Sequence, residues 1–264
     1  MLAALGAVAI LAAVVYSVAR RGAGAINLDL FTKTPAAFGE TGGGLAHAMV
    51  GTIVLVALAT AMALPVGVLV AIFVTELAPR RLRGPVRLAL DVINGLPSIV
   101  IGIFVYGIIV VGHQQSGLAG AAALAIIALP LIARSTQEVL RLVPRSLREA
   151  GFALGASRWR TVVGIVLPTS IGGILTGTTL AVARIAGETA PLLFTSSLTS
   201  DRVTWNPLQA LQSLPLSIFE LSESPDPADH ARAWAAGVVL LGFVLVASLT
   251  SKALLARSRR RLAR

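Results

Sequence analysis

The run from Ala46 to Phe73, AHAMVGTIVLVALATAMALPVGVLVAIF, contains no Asp, Glu, Lys or Arg, and it is longer than the roughly 20 apolar residues a helix needs to cross a bilayer. Such a run cannot lie on a water-exposed surface. Comparable runs recur at about 2–19, 86–111, 117–140, 168–195 and 231–256. Hydrophobic residues make up 56% of the chain and charged residues 13%, against about 45–50% and about 25% in soluble domains. The mean hydropathy is +0.84. We therefore expect an all-α integral membrane protein with six transmembrane helices, in which 264 residues leave little for a soluble domain. The run at 46–75 exceeds one crossing, and Pro65 within it predicts a kink or an extension into the cytoplasm.

The basic residues set the orientation. Arg80, Arg81, Arg83 and Arg87 follow the second run. Arg134, Arg141, Arg145, Arg148, Arg158 and Arg160 follow the fourth, and Lys252, Arg257, Arg259, Arg260, Arg261 and Arg264 close the chain. These are most of its 22 Lys and Arg. With six spans all three groups lie on one face, which the positive-inside rule makes the cytoplasm, with both termini inside. The segment 196–230 falls on the other face and is acidic, with Asp201, Glu220, Glu223, Asp226 and Asp229 against Arg202. Arg20 and Arg21 depart from the rule, since they lie outside in this arrangement. The first run has no basic flank before it and no convincing small-residue cleavage site after Val18, so it reads as a span rather than a signal peptide. The bare start leads us to expect a native flank ahead of Met1.

The net charge of +10 thus belongs to topology, and no nucleic-acid partner is expected. There are no cysteines, which excludes thiolate metal sites and nucleophiles. His47, His113 and His230 lack ligand spacing and receive no metal role. Neither Lys33 nor Lys252 follows a glycine as a phosphate-binding loop requires, so the chain has no ATPase site and needs no cofactor of its own.

Within the second basic cluster, Glu149 to Pro168 reads EAGFALGASRWRTVVGIVLP. Helical spacing sets Leu147, Ala150, Leu154 and Trp159 toward one side and leaves Arg148, Glu149, Arg158 and Arg160 to water. This pattern suits a short amphipathic segment on the membrane surface, and it also suits an ordinary interfacial loop. Gly151 and Gly155, each costing about 1 kcal/mol in a helix, suggest a turn or the close approach of another backbone.

These residues resemble the cytoplasmic EAA loop of ABC importer permeases: Glu-Ala-Ala, three residues, Gly, nine residues, Ile, one residue, Leu-Pro. Glu149, Ala150, Gly155, Ile165, Leu167 and Pro168 fit with both gaps intact, and Gly151 stands where the pattern has a second Ala. The stretches NGLPSIVIG at 94–102, ARIAGETAPLLFT at 183–195 and the ARAW-containing 211–241 further resemble the A-type permeases of phosphate-specific ABC importers. The resemblance covers about residues 46–250.

It implies the type I ABC importer permease fold in a bacterial inner membrane. A coupling helix on Glu149, Ala150, Gly151, Gly155, Ala156, Trp159 and Arg160 would dock into a separate ATPase. It also implies a heterodimer with a C-type permease, two ATPase subunits carrying ATP and Mg, and an external phosphate-binding protein. The domain layout follows: a first helix and external loop at 1–45, the transmembrane domain at 46–256 with its coupling loop at about 141–168, and a basic tail at 257–264.

Four residues are candidates for the translocation pathway. Arg184 lies 15 residues beyond Thr169, about 22 Å along a helix and past the middle of a roughly 30 Å hydrocarbon core. Lipid would not tolerate it there. Glu188, four residues on, would share its helix face. The pair reads either as a structural ion pair or as an anion-attracting Arg moderated by the acid, weak enough to let phosphate leave. Thr189 adjoins the pair. At Asn94-Gly95-Leu96-Pro97-Ser98 a broken helix could aim N–H groups and Ser98 at an anion, and a plain proline kink explains the same residues. Ser170, Thr176, Thr178, Thr179, Gly173 and Gly177 read mainly as helix-packing residues. Competing functions are an importer for another oxyanion or solute, an ion-coupled secondary transporter, for which no internal repeat is visible, and a membrane scaffold.

Overall fold

A computed structural model describes residues 2–35, 42–197 and 202–262. Asp201 and Arg264 lie outside the described residues. Among the described residues the regular elements are all helical. It begins with α1 (Leu2–Gly22), α2 (Leu28–Thr32), α3 (Ala46–Ile72), α4 (Arg80–Gly95) and α5 (Ser98–Val105). It continues with α6 (Gly117–Leu142), α7 (Arg145–Ala153), α8 (Arg158–Thr161), α9 (Leu167–Ile185), α10 (Ala190–Thr195), α11 (Leu214–Glu223) and α12 (Pro227–Leu262). Single π turns extend α3 through Leu77 and α5 through Val110, and another joins α8 to α9.

Among the described residues, five stretches are long and apolar enough to span a membrane: Ala4–Ala25, Ala46–Leu77, Gly117–Leu142, Arg158–Ile185 and Pro227–Thr250. A sixth crossing is available only as a broken one, because α4 and the stretch Ser98–Val110 are bent by 98°. The six-span architecture holds, with two boundaries corrected. The expected span at 86–111 is not one helix. Arg80, Arg81, Arg83, Arg87 and Asp91 make α4 amphipathic, and the missing N–H of Pro97, which also disfavours a helical Leu96, ends it. The expected span at 168–195 starts earlier, at Arg158, and stops at Ile185. The 32 residues of Ala46–Leu77 continue through Pro65 without a break in the helix and would reach about 48 Å at 1.5 Å per residue, more than one crossing of a roughly 30 Å hydrocarbon core needs. Residues 257–262, expected in the basic tail, are helical and continue α12.

The chain divides into two units, each discontinuous in sequence. The first comprises 1–55, 102–120 and 186–245. Its core gathers Leu30, Leu45, Ala48, Leu214, Ala235 and Ala236. Here Gly22 lies against the Trp234 carbonyl, where a Cβ would come within 2.4 Å, and the Arg21 guanidinium stacks 4.9 Å from the Trp234 ring. That contact gives Arg21, one of the two basic residues that depart from the topology rule, a packing role. Buried His47 donates from Nε2 to Gln212 Oε1 at 2.5 Å, and Gln212 Nε2 donates to Glu220 Oε2 at 2.5 Å. An amide oxygen only accepts, so His47 carries its proton on Nε2. Partial burial of the carboxyl raises the Glu220 pKa, the Gln212 hydrogen bond opposes this, and Asp229 adds to it.

The second unit comprises 56–101, 121–185 and 246–264. Ala71, Ile72, Leu140, Val143, Val162 and Val166 form its core. Gly173 and Gly177 let α9 approach α6 closely. A Cβ on them would meet Val139 Cγ1 at 2.5 Å and Ser135 Oγ at 2.2 Å, the packing role expected of small residues in a bilayer.

Candidate functional site: the α7 turn and the end of α9

Pro144 cannot continue the helix before it, and it sets the entry to α7. The exit is a Schellman turn. Gly155 N–H donates to the Phe152 carbonyl at 2.9 Å and Ala156 N–H to the Gly151 carbonyl at 3.1 Å, with Gly155 in the left-handed region at φ +77°. A side chain there would be strained, which is why the turn selects glycine. Ser157 then caps α8 by accepting from Arg160 N–H. Gly151 serves the other expected purpose, close approach. A Cβ on it would sit 3.0 Å from Ile165 and from Thr161, so the departure from Ala makes room for the next helix.

The turn corrects the single amphipathic face expected from Leu147 to Val162. Trp159 and Arg160 belong to α8, beyond the break, and Leu154 is 87% exposed rather than packed inward. Glu149 and Ala150 on α7 are exposed, and Ala156 is half-buried. Leu154 and Trp159 leave apolar surface open beside them.

Arg148 does not face water as expected. Its guanidinium bonds side-on to Glu76 at the end of α3, with Nη2 to Oε1 at 2.7 Å and Nε to Oε2 at 3.3 Å. The same group donates to the Val143 carbonyl at 2.6 Å and the Leu140 carbonyl at 2.8 Å. Glu76 is 8% exposed. One side chain thus fixes α7 to the ends of both α3 and α6, with its neighbour Glu149 turned outward. Neither Arg148 nor Glu76 was among the expected site residues. The available signal was a lone acid at the foot of an apolar span on an otherwise basic face.

The second candidate region differs more from expectation. Arg184 occupies the last turn of α9, whereas Glu188 lies beyond its end, after the turn at Ala186–Gly187. The two do not share a helix face, because Gly187 and the proline at the start of α10 close off the helix. Arg184 is exposed, and Glu188 and Thr189 are half-buried. Thr189 holds the N-cap position of α10 through its carbonyl, which accepts from Leu192 N–H at 3.1 Å. Ser98 is half-buried at the start of α5. The hydroxyls of Thr176, Thr178 and Thr179 bond back to carbonyls of their own helix.

A family model described as a binding-protein-dependent transport system inner membrane component matches residues 63–262. The phosphate transport system permease protein PstA of Yersinia pestis is 38% identical over 93% of this chain and 84% of its own length. The chain belongs to the PstA family. Another PstA, from Xylella fastidiosa, is 40% identical over 90% of this chain and 84% of its own. PstA 1 of Mycobacterium tuberculosis is 38% identical over 81% and 71%. The fold agrees with solved permeases. The MetNI methionine ABC transporter in an inward-facing conformation matches with TM-score 0.69, 17% identity, 81% of this chain and 95% of that one. A bacterial alginate ABC transporter in complex with a pentasaccharide-bound periplasmic protein gives TM-score 0.62, 14% identity, 94% and 92%. For a PstA-family chain, helices of this length and hydropathy make a multi-pass inner-membrane protein.

Proposed function

We propose that this chain is the A-type membrane subunit of an ATP-driven inorganic phosphate importer. It forms half of the translocation pathway and has no ATPase site. The observation that carries the coupling part is α7: an exposed Glu149-Ala150 face, ended by a glycine turn and braced from behind by the Arg148–Glu76 pair. A lever that transmits movement must be rigid toward its own chain and open toward its partner, and α7 meets both conditions. Leu154 and Trp159, 87% and 50% exposed, supply apolar surface of the kind that anchors interfaces. The phosphate assignment is supported by the likeness to PstA proteins named for phosphate transport.

In this reading Glu149, Ala150, Gly151, Gly155, Ala156, Trp159 and Arg160 form or shape the surface that meets a separate ATPase, which supplies ATP and Mg. A C-type permease completes the pathway, two ATPase subunits drive it, and an external binding protein delivers phosphate and sets most of the selectivity. Both termini are cytoplasmic. Arg184 attracts the anion at the end of α9. The carbonyls released there carry partial negative charge, so the helix end joins Glu188 in limiting the grip of the guanidinium. Irregular backbone at membrane depth is stable where it lines a cavity or is buried in protein, which fits a pathway at 186–189. Thr189 and Ser98 are polar contacts along it.

The test is copurification of a tagged chain with an ATPase subunit, together with uptake of labelled phosphate and sulfate in the presence of the cognate binding protein. ATPase recovery with phosphate uptake in excess of sulfate supports the reading. Absence of any ATPase, or sulfate uptake equal to phosphate uptake, refutes it.

A further inference from the structure

In the second unit a pocket of about 200 Å³ opens between α4 and α6. Its polar lining is Arg87 and Asp91 from α4 and Arg134, Gln137, Glu138 and Arg141 from α6. These residues recur at spacings of three and four, so each helix turns one polar face into the pocket. That concentration is notable in a chain with only 13% charged residues. Neither the α7 turn nor the end of α9 uses it.

Two features indicate what the pocket lacks. Asp91 and Arg134 form an ion pair with each other. That leaves Arg87 and Arg141 against Glu138, an excess of one positive charge. Gln137 is 5% exposed, and its buried Nε2 has no hydrogen-bond partner. An amide N–H cannot be satisfied by guanidinium groups, which only donate. The missing group is therefore an acceptor, and the charge excess favours an anionic one. A metal cation does not fit, since the carboxylates number two and each lies among arginines. The volume exceeds the roughly 30 Å³ share of one water severalfold, enough for a tetrahedral oxyanion.

We propose that the pocket between α4 and α6 is a phosphate-type oxyanion site, with Arg87 and Arg141 supplying the charge and Gln137 Nε2 donating the hydrogen bond it now lacks. The oxyanion has two possible sources with the same chemistry, free inorganic phosphate and the headgroup of an acidic phospholipid. None of the residues assigned to the pathway lines the pocket. All measurements are therefore made in an Arg184→Gln background, on the full chain with its copurifying partners.

The experiment has two arms, run on the parent chain, Gln137→Leu and Arg141→Gln. The first measures equilibrium binding of radiolabelled inorganic phosphate in delipidated detergent solution. The second measures lipid retention by native mass spectrometry after reconstitution in phosphatidylcholine with and without phosphatidylglycerol. Saturable phosphate binding weakened about tenfold by each variant, the size expected for a hydrogen bond to a charged group, supports the site with a soluble source. Phosphatidylglycerol retention lost in both variants supports it with a lipid source. Retention of neither ligand by the parent, or equal binding by parent and variants, overturns the proposal. The thermal midpoint of ligand-free Gln137→Leu should equal or exceed that of the parent, since an unpaired buried amide is removed. A lower midpoint would mean that the amide is already satisfied within the chain, and would also overturn it.

Discussion

Arg148 serves four acceptors at once, both oxygens of Glu76 and the carbonyls of Leu140 and Val143. Its replacement therefore does more than delete an ion pair. Arg148→Met should strand a buried carboxylate and two helix-end carbonyls, lowering unfolding stability by about 3–5 kcal/mol. Arg148→Met with Glu76→Leu should recover part of that loss, because only the carbonyls stay unsatisfied. Thermal unfolding of purified protein reads both, and equal midpoints for single and double variants would contradict the clamp. Gly151 and Gly155 should separate by mechanism. Gly151→Val meets Thr161 and Ile165, whereas Gly155→Val meets open space and is penalised by its φ alone, about 1–2 kcal/mol. The glycines were legible in the sequence because a left-handed turn and a close approach both restrict the choice to glycine. The clamp was not. Its partners are 72 positions apart, and on a basic face an arginine reads as topology charge.

At the scale of elements, long apolar helices were legible because hydropathy and length alone decide them, and breaks within apolar stretches were not. A helix that stops at Ile185 and one that continues to Thr195 have the same hydropathy, and the Gly187 and Pro191 signals are brief. The consequence falls on Arg184. It stands in the last turn of α9, with Glu188 beyond the helix end, where the proposed pathway needs its charge. Arg184→Gln should then abolish phosphate uptake with the complex still recovered intact, and Arg184→Lys should keep part of it; loss of assembly with Arg184→Gln would favour a structural role. Glu220 on α11 gives a pH signature. Its carboxyl pKa is raised, chiefly by partial burial, so the folded unit holds that proton more tightly than the unfolded chain. Its stabilising contribution is present at low pH and is lost as pH rises through the raised value. The thermal midpoint of the parent, compared with Glu220→Gln, should fall as pH rises from the ordinary carboxyl range through the raised pKa of Glu220. A difference that stays flat or grows with pH would contradict this.

For the whole molecule, the proposed orientation rests on the basic residues that six spans would place on one side. Cysteine introduced at Ser222, in the last turn of α11, should react with an impermeant thiol reagent added to cells whose outer barriers have been opened. Cysteine at Ser258 should not react, and the reverse pattern would invert the topology. In the proposed function, movement in a separate ATPase reaches the pathway through α7. The direct measurement is uptake of radiolabelled phosphate by vesicles containing the reconstituted complex with its binding protein, with and without ATP, for the parent and for Gly155→Trp. The account predicts ATP-dependent uptake by the parent and none by Gly155→Trp, although that variant is present in the membrane. Uptake that needs no ATP, or normal uptake by Gly155→Trp, would contradict it.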